Sequence, residues 1–176
     1  MPVNPCKDIK RFKELPRDYY VPDDHYQAML ESSPLVLQVA MEISYCTGLR
    51  VTDVLEMKWE QIKEGIDIEL SKTGVKMTKE LSPRLKAALA AAKQLPGLWS
   101  SYVVHNQKGQ KYTRSGFNST WKRYRAKLPE GHGFQFRDIR KKSITDWQGE
   151  TKTVSGHKTD QMTARYKIKP IKSPSH

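Results

Sequence analysis

From Ser32 to Gly48 the chain reads SSPLVLQVAMEISYCTG, and this stretch constrains the fold more than any other. Ser33 can cap a helix, Pro34 suits a first helical position, and Val36, Val39, Ala40 and Ile43 fall on one face at helical spacing. Gly48 then supplies a stop. A helix this apolar has to lie in a core. The next residues, LRVTDVLEMKW, restart a helix with Thr52 as its expected cap, so Arg50 falls in a tight connection between two packed helices. Such a corner holds a side chain firmly.

Upstream, YYVPDDHYQAMLESS predicts a first helix with Asp23 and Asp24 in its first turn, where carboxylates oppose the positive end of the helix dipole. Downstream, GIDIELSKTGVKMTKELS changes the period from helical to alternating. Ile66, Ile68 and Leu70 alternate with polar residues, and Val75, Met77, Lys79 and Leu81 do the same beyond a turn containing Gly74. A β-hairpin with Lys72 near its tip follows. Ser82 and Pro83 open another helix expected to run through Leu95, and SYVVHNQKGQKYT offers a third strand to the sheet. Thr113 or Ser115 opens a helix with Phe117, Trp121, Tyr124 and Leu128 inward, and FRDIRKKSITDW to Tyr166 reads as further helix. The expected class is α+β, mostly helical with one small antiparallel sheet.

At 176 residues, 37% of them hydrophobic, the chain suits one domain with one core. Its apolar stretches are too short and too charged for a membrane span, no membrane partner is expected, and Cys6 and Cys46 alone cannot build a disulfide framework or a four-cysteine zinc site. A reducing cytoplasm fits that usage. Lys and Arg outnumber Asp and Glu by 31 to 19, which predicts a polyanionic partner. Lys108, Lys111, Arg114, Lys122, Arg123, Arg125 and Lys127 cluster without one acid between Gln107 and Lys127, interleaved with Tyr112, Phe117, Trp121 and Tyr124. That mixture points to nucleic acid, and Lys141 and Lys142 extend the expected contact surface.

Four separated stretches, TGLRVTDVLEMKW, SKTGVK, FRDIRKKS and SGHKTDQMTARY, occur in the order in which the catalytic domain of the tyrosine recombinases arranges its motifs. The chain resembles that family from about Tyr20 to Tyr166, and most of all its lambda-type phage integrases. The resemblance implies a catalytic domain over residues 21–167, preceded by a polar lead over 1–20 and followed by a basic tail over 168–176. It implies a catalytic set of Arg50, Lys72, Arg140, His157 and Tyr166, with Asp53 as the carboxylate supporting Arg50. It further implies double-stranded DNA carrying attachment or core sites as substrate, a 3′-phosphotyrosine intermediate, and a homotetramer on DNA formed from a free monomer. Related integrases carry an N-terminal core-binding domain that twenty residues cannot hold, so a catalytic fragment or minimal relative with salt-sensitive binding is expected.

One position departs from the family pattern. Arg137 stands where the family has a histidine, three residues before Arg140. A guanidinium stays protonated at working pH, so Arg137 can donate to a phosphate oxygen but cannot accept the tyrosine proton. Either that base is dispensable, or His157, water or Asp53 shares its role, with His132 a further candidate.

The chemistry explains the residue types. A phosphodiester transition state concentrates charge on non-bridging oxygens, and two guanidinium forks can stabilise it at roughly 1.5–3 kcal/mol per charge-assisted bond. Tyrosine, with a free pKa of about 10, needs neighbouring cations to reach its phenolate, and Lys158, Arg165 and Lys167 flank it. Lys72 can protonate the leaving oxygen. No cofactor is expected, since neither metal nor ATP is required for a transesterification that conserves the bond energy. Three other readings remain: a type IB topoisomerase-like strand transferase, a non-catalytic DNA-binding regulator, and a two-metal nuclease using Asp67 and Glu69, although no third carboxylate and no His pair at metal spacing accompany those two.

Overall fold

The structure, a computed structural model, describes residues 19–72 and 74–147. Among them the order is α1 (Asp23–Ser32), α2 (Leu35–Thr47), α3 (Val51–Glu56), β1 (Gly65–Glu69), β2 (Lys76–Glu80), α4 (Pro83–Ala92), α5 (Arg114–Arg125) and α6 (Phe136–Asp146), with a 3₁₀ turn over Trp59–Gln61. This is the α+β arrangement the sequence predicts. None of these helices is long and apolar enough to cross a membrane.

α2 is the central element, buried at Leu37, Val39, Ala40, Met41, Ile43, Ser44 and Thr47 and packed against α1, α3, α4 and α6. Its start differs by one position from expectation. Pro34 is extended and occupies the cap, its carbonyl accepting from Leu37 and Gln38, while Ser33 makes no side-chain cap. Gly48 ends the helix at φ 67°, a left-handed conformation that costs glycine least. At the next helix Arg50 itself is the extended cap residue, its carbonyl accepting from Val54, and Thr52 is the second residue of the helix.

β1 and β2 pair antiparallel from Gly65↔Glu80 to Glu69↔Lys76. Ile66 and Ile68 enter the core while Asp67 and Glu69 face solvent. The expected third strand does not form among the described residues. Tyr102 and His105 make only single bridges, to Lys58 and Lys111. Val103 and Val104 are both fully buried rather than alternating, so this segment is wedged between layers, held by the Met57 carbonyl accepting from the Val103 amide at 2.9 Å.

Ser82 caps α4 by accepting from the Leu85 amide at 3.2 Å, and Thr113 caps α5 by accepting from Gly116 at 3.1 Å. α4 stops at Ala92, short of the predicted Leu95, because Pro96 pushes the residue before it away from helical conformation. On α5, Phe117 and Trp121 are buried and meet Phe136 edge-on with centroids at 5.1 and 5.2 Å. Burying an aromatic of this size contributes about 2–3 kcal/mol, and here it clamps α5 to the first turn of α6. Leu128 falls beyond the end of α5 and is only partly buried.

Candidate active site

Arg50 stands at the corner between α2 and α3, and the corner is fixed by its own side chains. The Ser44 hydroxyl donates to the Leu49 carbonyl at 3.1 Å, and the Leu49 amide donates to Thr47 Oγ1 at 3.3 Å. Arg50 is half-buried, and its Nη1 is buried with no hydrogen-bond partner among the described residues. A buried donor left so costs about 1–3 kcal/mol, a penalty that an anionic ligand would remove.

Arg140 reaches the same corner from α6. It is 4% exposed, and its Nη1 donates to the carbonyl of Gly48, two residues before Arg50. Residues from two distant parts of the sequence are thus tied together at one point. Arg137, one turn earlier on α6, is exposed. The first turn of α6 is set by a reciprocal cap, in which the Gln135 amide donates to Asp138 Oδ2 at 2.9 Å.

Asp53 does not pair with Arg50 in this structure, contrary to the sequence expectation. Its Oδ1 accepts from the Ser71 amide at 3.1 Å and from the Ser71 hydroxyl at 2.6 Å. The carboxylate lies one helical turn from the corner and is 8% exposed; its Oδ1 turns toward donors that the hairpin supplies, while its Oδ2 is buried with no hydrogen-bond partner among the described residues. Asp53 therefore anchors the residue before Lys72. Lys72 is exposed in the turn joining β1 to β2, where the Gly74 amide donates to the Leu70 carbonyl at 2.8 Å and Gly74 adopts φ 64°.

Lys79 is a residue that sequence reasoning treated only as a strand position. It lies on β2 opposite Ile66 and is half-buried. Burial first, and then the positive charge of Arg140, push its ammonium down to about 8. The signal available in the sequence was a lysine at a position where the alternation asks for an apolar side chain.

Lys142 is corrected outright. It is 2% exposed, bonded to the Asp23 carboxylate, to Asp146 at 3.1 Å and to the Tyr20 hydroxyl at 3.0 Å. Burial disfavours its charge, but those hydrogen bonds outweigh burial and raise its pKa. It joins α1 to α6 and is not available to DNA. The helical period explains this, since Lys142 falls on the face of α6 shared with Ile139.

Of the remaining basic residues, Lys108, Arg114, Lys122 and Arg123 are exposed and Arg125 and Lys141 are half-buried. Lys111 is exposed but engaged by Glu56 at 3.2 Å. The aromatic residues among them serve the interior: Phe117 and Trp121 are core, and Tyr124 lies under the Lys127 ammonium at 4.5 Å. Asp67 and Glu69 form no carboxylate site. Asp67 accepts from Thr78 at 2.8 Å and pairs with Lys63 at 3.8 Å, and Glu69 pairs with Lys76 at 3.9 Å. His132 is half-buried, and His157 and Tyr166, with Lys158, Arg165 and Lys167, lie outside the described residues.

Residues 23–169 match the sequence profile of the phage integrase family. The chain is 31% identical to the integrase of Escherichia phage lambda, over 81% of this chain and 44% of that one. It is 30% identical to the integrase of Enterobacteria phage 434, over 94% of this chain and 51% of that one. The chain thus spans about half the length of these relatives. Its fold is similar to that of lambda integrase in a crystal structure bound to DNA, at 25% identity, with a TM-score of 0.73 over 88% of this chain and 61% of that one.

Proposed function

Because the chain belongs to the phage integrase family, we propose that it is the catalytic part of a site-specific tyrosine recombinase acting on double-stranded DNA. In this reading Arg50 and Arg140 grip the non-bridging oxygens of one phosphodiester. The Tyr166 hydroxyl attacks the phosphorus in line and passes its proton to water, forming a 3′-phosphotyrosine bond as the bond to the 5′ oxygen breaks. Lys72 gives that oxygen its proton, and Arg137 adds a further donor to the phosphate. His157 bonds the scissile phosphate or the nucleophile. A second 5′ hydroxyl then reverses the step on a new strand, within a tetramer of this chain assembled on DNA.

The observation that carries the reading is the meeting of Arg140 with the backbone of the Arg50 corner, beside a buried Arg50 Nη1 that has no partner among the described residues. Two preorganised guanidinium groups at one anion site stabilise developing phosphate charge without reorganisation. Lys79 supports it as well. Burial and the charge of Arg140 push this half-buried ammonium down to about 8, and a bound phosphate would favour its charged form. Lys108, Arg114, Lys122 and Arg123 supply exposed charge for the flanking backbone.

A nicked suicide DNA substrate tests this. Incubated in EDTA and resolved on a denaturing gel, the chain should form a covalent protein–DNA product that Tyr166→Phe abolishes while DNA binding persists. Absence of any adduct from the unmodified chain, or an adduct mapped to another residue, would overturn the proposal.

A further inference from the structure

Two histidines distant in sequence meet beside α1. His25, in the first turn of α1, stacks on His132, in the loop ahead of α6, with ring centroids 4.2 Å apart and planes tilted by 38°. The Asp24 carboxylate comes within 4.0 Å of His25 Nε2, and one donor atom from each of Asp24, His25 and His132 lies within 4.8 Å of the others.

The hydrogen bonds around the two rings turn this proximity into a donor set. His132 Nδ1 is 3.2 Å from the Glu130 carbonyl oxygen, which can only accept, so the neutral ring carries its proton on Nδ1. Its Nε2 lone pair is then left for another partner. His25 Nδ1 is 3.1 Å from the Tyr19 hydroxyl, which can accept in the same way. An imidazole that donates from one nitrogen to a fixed oxygen while presenting the other is how proteins orient metal-ligating histidines.

We propose that His25 and His132, through Nε2, and Asp24, through its carboxylate, bind one late first-row divalent cation, with Zn²⁺ the reference ion. Two imidazoles and a carboxylate suit Zn²⁺, Ni²⁺ and Co²⁺. Ligand atoms about 2.0–2.2 Å from a tetrahedral ion stand roughly 3.3–3.5 Å apart, so the three donors need to close by about 1.5 Å. The Asp24 side chain, 72% exposed, has the freedom to make most of that movement. The ion would fasten α1 to the loop that leads into α6, the helix carrying Arg137 and Arg140. No member of the set belongs to the arginine corner, and folding rather than local spacing creates it.

The test uses the full chain stripped with a chelator and then titrated with Zn²⁺ against a chromophoric competitor. The unmodified chain should bind one Zn²⁺ at micromolar or tighter affinity and melt several degrees higher with it. His25→Gln and His132→Gln should each weaken binding by about tenfold or more and abolish the rise in Tm, and Asp24→Asn, at an exposed side chain that leaves folding intact, should weaken it by about tenfold. Cys46→Ser and His105→Gln should change nothing. Unchanged affinity in His25→Gln, His132→Gln or Asp24→Asn, or no binding by the unmodified chain at 100-fold above micromolar Zn²⁺, would overturn the site.

Discussion

At Asp53 the carboxylate bonds a serine on the hairpin and not the arginine three residues before it. Asp53→Ala would leave the Ser71 amide without its acceptor, a loss of about 1–3 kcal/mol, and would free the strand end beside Lys72. Thermal denaturation should therefore show a lower Tm, and adduct formation should fall further than the Tm change alone explains. Equal Tm values would contradict the anchoring role. Lys79 gives a prediction with a pH sign. Its ammonium is pushed from 10.5 down to about 8, so between those values the unfolded chain keeps a proton that the folded chain has shed. Stability from this group consequently rises with pH from about 8 to 10.5, and the cost of burying the cation is fully present below pH 8. Lys79→Met should raise the urea midpoint most at pH 7 and least near pH 10.5; midpoint curves that stay parallel would refute it. Residue types were legible in the sequence at Arg50, Lys72 and Arg140, but partners were not. Asp53 bonds Ser71 through one carboxylate oxygen, and Lys142 satisfies its charge through Asp23 and Tyr20, contacts that exist only once distant segments pack.

Among the elements, those with a strong period and clear punctuation were legible. α2 was marked by its apolar positions and Gly48, α4 by Ser82 and Pro83, α5 by Thr113, and the hairpin by alternation around Gly74. Boundaries shifted where two residues competed for one cap, as Pro34 displaced Ser33 and Arg50 displaced Thr52. The supposed third strand failed for a different reason. Val103 and Val104 have strand-forming side chains, yet both are buried, so packing on two sides replaced pairing. The corner itself is testable through Gly48. At φ 67° an alanine is strained by about 1 kcal/mol, and the strain would fall on the backbone that Arg140 holds. Gly48→Ala should lower Tm by several degrees and depress adduct formation together; a Tm at or above that of the unmodified chain would exclude the left-handed corner.

For the whole molecule, α2 acts as the axle. α3, α4 and α6 all pack on it, so Arg50 at its end and Arg140 on α6 are positioned by one shared core rather than by flexible loops. The aromatic clamp of Phe117 and Trp121 on Phe136 carries the exposed cations of α5 on the same framework. A rigid frame of this kind suits chemistry in which positioning and electrostatics do the catalytic labour. The most direct measurement is adduct formation on the suicide substrate by Arg50→Lys and Arg140→Lys, with folding checked by circular dichroism and DNA binding by filter retention. Lysine keeps the charge and loses the planar fork, so each variant should fold, retain binding and form adduct about 100-fold more slowly or less. Adduct formed at the unmodified rate by either folded variant would contradict a phosphate site built from those two guanidinium groups.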